Sequence, residues 1–113
     1  MAMIEIKRVY QEIKLYEYAP EYGEQSIRVH INPSRSILLR IQELRNLVDD
    51  GLLNEKTVDE FIELISELWE DWTDKDVRDL FDGAFDTDPK FFEWLVYKTM
   101  LLIFSHRALV KKN

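Results

Sequence analysis

The chain of 113 residues contains no cysteine, and this absence removes several classes of site at once. Disulfide bonds, thiolate metal sites and cysteine nucleophiles are excluded, because each needs the sulfur of cysteine. The chain has only three prolines and three glycines, and the glycines stand alone at Gly23, Gly51 and Gly83. Neither a low-complexity linker nor a glycine-rich phosphate loop fits this distribution. We therefore expect a single domain over residues 1–113.

Long apolar runs are missing as well. The most apolar stretch, residues 94–104, contains Lys98 and is much shorter than the roughly 20 residues that a membrane-spanning helix needs. The first ten residues carry Glu5, Lys7 and Arg8 and lack the apolar core of a signal peptide. These features predict a cytoplasmic protein that does not enter a membrane.

Histidine is scarce, with only His30 and His106 in the chain. His30 falls on the polar side of a predicted strand, and His106 falls near the end of the last predicted helix, where an imidazolium suits the helix dipole. Neither spacing indicates a nucleophilic triad. A calcium loop around Gly51 fails, because Val48 cannot coordinate and Thr57 replaces the bidentate glutamate. We expect no enzyme, no cofactor and no metal.

Three aspartates, Asp82, Asp86 and Asp88, form the densest carboxylate cluster, in a predicted connection between helices. Their oxygens could hold a hard cation. The simpler interpretation is that Asp88 caps the following helix while the other two are solvated. A small enzyme built on a carboxylate pair is a further hypothesis, but acids on amphipathic helices produce many accidental pairs. The sequence does not single out any of them.

The net charge of −7 is unevenly placed along the chain. Residues 49–93 hold sixteen acids and four bases, whereas residues 94–113 hold four bases and no acid. Nucleic-acid binding is not expected, because it depends on neutralising phosphates with Lys and Arg. An acidic band is typical of a solvated surface. The alternative is an acidic inhibitor or DNA mimic that binds the basic cleft of an enzyme.

A β-hairpin is predicted over residues 13–31, with its loop at residues 19–23. Apolar residues alternate with polar ones on both sides of this loop, the pattern of half-buried strands. The residues expected to face the core are Ile13, Leu15, Tyr18, Ile27, Val29 and Ile31. Residues 4–11 fit either a strand or a helix, and we favour a strand.

Two helices are predicted after the hairpin. Asn32 is the expected N-cap of the first, with Pro33 in its first turn, and Gly51 is its expected end. Asn54 is the expected N-cap of the second helix. The apolar residues of the second helix fall on one face, opposite a run of acids. They are Val58, Phe61, Ile62, Ile65, Leu68, Trp69 and Trp72.

Two further helices complete the prediction. Thr73 and Asp76 have the spacing of a capping box, and Gly83 is the expected end of this third helix. Its expected apolar face is Val77, Leu80, Phe81 and Phe85. Asp88 and Pro89 then begin a last helix that runs to about Ala108. The predicted fold is α+β and mostly α: a hairpin or small sheet (residues 1–31), about four packed helices (residues 32–110) and a tail (residues 111–113).

The last helix is apolar on almost all sides, which indicates that most of its surface must be covered. One of its apolar stripes consists of Trp94, Tyr97, Leu101 and Phe104. Either this stripe is buried in the core, or it is partly exposed and docks another copy of the chain or a partner. These four residues are the candidate partner-binding site.

Three pieces of the sequence stand at a characteristic spacing: the hairpin leading into residues 32–35, the junction of Trp69, Trp72 and Thr73, and the last helix with its His106–Arg107 end. In this layout the chain resembles the tail assembly chaperones of long-tailed bacteriophages. The similarity is one of layout and spacing over about residues 27–107. No invariant chemical motif carries it.

The resemblance implies a non-catalytic viral protein that acts in tail assembly. Such a protein would coat the hydrophobic, helical tape-measure protein, recruit tail-tube subunits and form homo-oligomers in the host cytoplasm. It implies no catalytic residues.

Overall fold

The computed structural model describes residues 4–49 and 54–111. The strands are β1 (Tyr10–Lys14) and β2 (Ser26–His30), and the helices are α1 (Arg35–Asp49), α2 (Glu55–Leu68), α3 (Asp74–Thr87) and α4 (Pro89–Lys111). Two short 3-10 helices, Leu15–Glu17 and Pro20–Tyr22, lie between the strands. A two-stranded antiparallel sheet followed by four helices confirms the predicted α+β, mostly helical class.

The hairpin aligns Tyr10 with His30 and Lys14 with Ser26. Of the residues predicted to face the core, Tyr18 is half-buried and the others are buried: Ile13, Leu15, Ile27, Val29 and Ile31. The strand expected over residues 4–11 is wrong for its first part, because residues 4–9 form no regular element. Ile4 is 89% exposed and Ile6 is 80% exposed. Although these apolar residues alternate with polar ones, neither packs against the core.

Asn32 extends the hairpin and does not cap α1. Its Oδ1 accepts a hydrogen bond from the Val9 N–H at 2.7 Å, and its Nδ2 donates to the Lys7 carbonyl at 3.0 Å. The first turn of α1 is closed later, where the Leu38 N–H donates to the Ser34 carbonyl at 3.2 Å. The predicted N-cap is therefore wrong, because the side-chain amide of Asn32 bonds to the backbone of residues 7 and 9 and not to the first turn of α1.

Helices α1 and α2 pack together and share an ion pair. The buried residues of α1 are Leu38, Ile41 and Leu44. Arg40 contacts Glu43 on its own helix and Glu60 on α2. The predicted end of α1 at Gly51 lies outside the described residues.

A capping box begins α2, as predicted. The Asn54 side chain accepts from the Thr57 N–H at 3.0 Å, and the Thr57 hydroxyl accepts from the Asn54 N–H at 2.8 Å. Ile62, Ile65 and Leu68 are buried, so the apolar face is as predicted along the helix.

The end of α2 differs from the prediction, which carried the helix face on to Trp72. The helix ends at Leu68, and Trp69 forms a bridge with Val29 of β2. The Glu70 N–H donates to the Arg28 carbonyl at 2.9 Å, which places this segment along the free edge of β2. Pairing with the sheet therefore replaces the last helical turn.

A second capping box, between Thr73 and Asp76, begins α3 as predicted. The predicted end at Gly83 is wrong, because α3 continues to Thr87 and the Asp88 N–H still donates to the Ala84 carbonyl at 2.7 Å. Phe85, expected on the apolar face, is 69% exposed.

Pro89 begins α4, as predicted, and the helix continues to Lys111, beyond the expected end near Ala108. Lys111 is helical although the tail was expected to start there, and residues 112–113 lie outside the described chain. The Asp88 carboxylate was predicted to cap α4. It accepts a hydrogen bond at 2.6 Å from the hydroxyl of Tyr18, a residue of the hairpin loop.

The core lies between the inner face of the hairpin and the helices. The backbone of α4 approaches α3 and β1 most closely. At the centre of the core, Trp69 Nε1 donates to Thr99 Oγ1 at 3.0 Å, and Thr99 donates to the Leu95 carbonyl at 2.8 Å. This chain of bonds satisfies the polar atoms of two buried side chains.

Candidate protein-binding surface

The outward side of α4 carries four apolar side chains, which we call the α4 stripe: Trp94, Tyr97, Leu101 and Phe104. Tyr97 is 59% exposed and Leu101 is 43% exposed, while Trp94 and Phe104 are half-buried. Their spacing places them on one side of the helix, over roughly 15 Å of its length. The structure therefore places the four predicted site residues on one side of α4, where Tyr97 and Leu101 are exposed while Trp94 and Phe104 also pack against the core.

The other sides of α4 face the core. The buried residues of this helix are Phe91, Phe92, Leu95, Thr99, Met100 and Ile103. The two other apolar stripes of this helix are Phe91, Leu95 and Leu102, and Phe92, Val96 and Ile103, of which Val96 and Leu102 are half-buried. The fold thus covers two stripes and leaves the third in contact with solvent.

Trp94 is held in place at the N-terminal end of the α4 stripe. Its ring centroid lies 5.4 Å from that of Tyr18, and the Lys98 Nζ lies 5.6 Å from the Trp94 centroid. Lys98 also forms an ion pair with Glu17 at 3.2 Å. A tryptophan ordered in this way loses little side-chain entropy on binding, as expected of an interface anchor.

Tyr18 links the hairpin loop to the start of α4. Its hydroxyl bonds the Asp88 carboxylate, and this hydrogen bond, with burial and the negative charge, raises the pKa of Tyr18 to about 12. Its ring centroid lies 5.0 Å from that of Phe91, on which Tyr22 also stacks at 4.6 Å. These contacts hold the Tyr18 ring in place beside Trp94.

The section of the sequence that carries the α4 stripe has few acids. Residues 94–113 contain four bases and no acid, and Arg107 donates to the Pro33 carbonyl at 3.2 Å. The acids are concentrated on α2 and α3, where Arg78 pairs with Asp59 and Lys75 with Asp79. The α4 stripe thus lies outside the acidic segment of residues 49–93.

The carboxylate cluster does not converge on one point. Asp82 and Asp86 are exposed, and Asp88 is bonded to Tyr18. Within residues 4–49 and 54–111, no group of three or more His, Asp or Glu side chains is arranged to hold a metal ion.

A separate open groove of about 790 Å³ lies beside the outer face of the hairpin. It is lined by His30, Arg8, Tyr10 and the segment after α2 that includes Glu70 and Asp71. Burial, followed by the nearby charge of Arg8, lowers the pKa of His30 below its usual value. Asp71 has a positive φ of 66°, a conformation that Asp tolerates in tight turns.

This groove was not predicted from the sequence, because its walls come from three separate segments of the chain. No local spacing brings His30 together with residues 66–72, and only the bridge between β2 and the end of α2 does so. His106, the other histidine, is half-buried near the C-terminal end of α4.

Comparisons of this chain with protein families, with curated proteins and with solved structures found no match. None of the helices in the described part of the chain is both long and apolar enough to span a bilayer.

Proposed function

We propose that the protein is a non-catalytic binding protein that holds an apolar helix of a partner against the α4 stripe. The observation that carries this proposal is the exposure of Tyr97 and Leu101 between the half-buried Trp94 and Phe104. Adjacent exposed apolar side chains on one helix face are typical of interaction sites.

An apolar α-helix with acidic flanks is the occupant that fits this surface. The α4 stripe presents side chains at a spacing of three and four residues, which matches the ridges of another helix. Lys98 and Arg107 lie on the same helix, and no acid follows Glu93 in the sequence. Acids beside the apolar face of the partner would therefore be attracted, while bases there would be repelled.

The biological role that we propose is that of a phage tail assembly chaperone in the host cytoplasm. The partner would be the hydrophobic, helical tape-measure protein, and tail-tube subunits would be recruited to the complex. The resemblance in sequence layout supports this role, as does an accessible helix face at the residues expected to bind. A homo-oligomer that coats the tape-measure protein belongs to the same proposal.

Two substitutions test the surface: Tyr97→Glu and Leu101→Glu. The probe is a fluorescently labelled peptide from the apolar helical region of a phage tape-measure protein, titrated with the protein and followed by anisotropy. We expect the wild type to bind and both variants to lose about tenfold or more in affinity, because each places a charge in an apolar contact. Circular dichroism should show both variants folded, since both positions face solvent.

The matched controls are Phe85→Glu and Leu39→Glu, which place the same charge at exposed apolar positions outside the α4 stripe. Both controls should bind the peptide as the wild type does. Absence of binding by the wild type, or equal losses in controls and stripe variants, would contradict the proposal.

An acidic inhibitor or DNA mimic is the second candidate. The exposed carboxylates of α2 and α3 favour it, among them Asp59, Glu63 and Glu67. Binding of this kind is electrostatic, so the affinity for a basic enzyme cleft should fall steeply with added salt. Capture of an apolar helix should change little with salt, because apolar contacts are not screened.

A further inference from the structure

The two strands of the hairpin differ in what covers their outer edges. The edge of β2 that faces away from β1 is paired, because Trp69 bridges Val29 and the Glu70 N–H donates to the Arg28 carbonyl. The edge of β1 that faces away from β2 has no comparable strand among the described residues. β1 is therefore the edge strand of the sheet.

The hydrogen bonds of the hairpin identify which backbone groups of β1 point outward. The Ile31 N–H donates to the Val9 carbonyl at 2.9 Å, and the Leu15 N–H donates to the Gln25 carbonyl at 3.0 Å. In an antiparallel pair the bonded residues alternate along the strand, so positions 9, 11, 13 and 15 bond to β2. The N–H and C=O groups of Arg8, Tyr10 and Glu12 point away from it.

The residues that carry these outward groups lie at the surface, with Arg8 and Glu12 exposed and Tyr10 half-buried. Within the described chain, no hydrogen bond is made by the backbone of Arg8, Tyr10 or Glu12 to another element. Gln11 and Glu12 are exposed, whereas Ile13, on the inner face of β1, is buried in the core. An open edge of this kind is a template for another strand.

We propose that a second copy of this chain pairs with β1 through this edge, antiparallel and two-fold symmetric about Tyr10. The two hairpins then form one continuous four-stranded sheet. Each copy contributes the same residues, as an interface with two-fold symmetry requires. The proposed function includes a homo-oligomer without naming a contact between copies, and this pairing supplies one. It does not use the α4 stripe, so a dimer that fails to form leaves peptide binding at the stripe untouched, and the reverse also holds.

The charges on β1 favour the register centred on Tyr10, and they favour a second copy of the chain as the partner. With Tyr10 opposite Tyr10 of the partner subunit, Arg8 lies opposite Glu12 of the partner subunit, and the symmetry repeats this pair. A register centred on Glu12 would set two glutamates opposite each other, and one centred on Arg8 would set two arginines opposite each other. Opposite charges across strands stabilise a pair and like charges destabilise it.

The surroundings of the edge also suit a second copy. In the proposed register Ile6, which the single chain leaves 80% exposed, lies opposite Lys14 of the partner subunit, whose aliphatic stem can cover it. Residues 1–48 carry seven bases and six acids, so two copies can meet there without the repulsion expected between their acidic segments at residues 49–93.

Cross-linking tests the register directly, because the chain has no cysteine of its own. Tyr10→Cys places one thiol at the symmetry axis, where opposite Cα atoms of a bonded pair lie about 5.5 Å apart and a disulfide can form. Oxidised glutathione should convert this variant to a covalent dimer. The control Lys14→Cys should remain monomeric on the same gel, since its two thiols would be roughly 26 Å apart.

Charge exchange tests the pairing without changing Tyr10. Arg8→Glu and Glu12→Arg should each weaken the dimer by about tenfold in analytical ultracentrifugation, since each replaces two attractive pairs by repulsive ones. The double variant should recover the affinity of the wild type. A wild type that stays monomeric across the concentration series, equal cross-linking of both cysteine variants, or no recovery in the double variant would overturn the proposal.

Discussion

The hydrogen bond between Trp69 and Thr99 joins two buried side chains, and a single substitution tests its contribution to stability. Thr99→Val keeps the shape of the side chain but leaves the indole N–H without an acceptor. We expect the free energy of unfolding to fall by about 1–3 kcal/mol. Thermal and urea melts followed by circular dichroism measure the change.

The matched control is Thr99→Ser, which keeps the hydroxyl and removes one methyl group. It should be destabilised less than Thr99→Val. Equal stability of the valine variant and the wild type would mean that this bond contributes nothing.

Tyr18 should make the stability of the protein depend on alkaline pH. Its pKa is about 12 in the folded protein against 10.0 normally, so its contribution is complete below pH 10 and is lost as the pH rises from 10 toward 12. Tyr18→Phe should lower the melting temperature at pH 7 and flatten its decline over that range. Melting curves from pH 7 to 11.5 measure both effects, and parallel declines in the two proteins would contradict the prediction.

Two substitutions in α2 test which face of this helix is buried. Ile65 lies in the core and Glu63 faces solvent on the same helix. Ile65→Asp should cost several kcal/mol and unfold or grossly destabilise the domain, because the carboxylate would be buried without a partner. Glu63→Ala should change the free energy of unfolding by less than about 0.5 kcal/mol. Similar thermal melts of the two variants would show that the face is assigned wrongly.

The helix starts were more predictable than the helix ends. The capping boxes of Asn54 and Thr73 satisfy N–H groups within three residues, so the local sequence alone specifies them. The end of α2 depends on β2, which competes for the backbone of Trp69 and Glu70. Asn32 has a capping sequence but bonds to residues 7 and 9, a choice that only the hairpin decides.

At the scale of the whole molecule, the chain is more extended than a compact domain of its length. Its radius of gyration is 15.1 Å, against about 13 Å expected. One cause is α4, whose 23 residues span roughly 35 Å. A long helix in so small a domain cannot be covered on every side, and this leaves the α4 stripe in contact with solvent.

Divalent cations should leave the stability of the whole protein unchanged. Asp82 and Asp86 are solvated, and Asp88 already accepts a hydrogen bond from Tyr18. Thermal melts with calcium, with magnesium and with a chelator should therefore coincide within error. A clear rise in melting temperature with either cation would contradict this, because an ion that binds the folded state stabilises it.

The sequence by itself determined the fold class, the hairpin, the four helices and most residues of their apolar faces, with the exposed Phe85 as an exception. These depend on period and on capping, which act within a few residues. Only the tertiary structure decided that Trp69 leaves its helix, that Asn32 extends the hairpin, that β1 keeps an open edge and that the α4 stripe faces outward. Each of these features depends on segments that lie far apart in the chain and that bind the same backbone group or cover the same surface. Patterns within a few residues of sequence therefore cannot predict them.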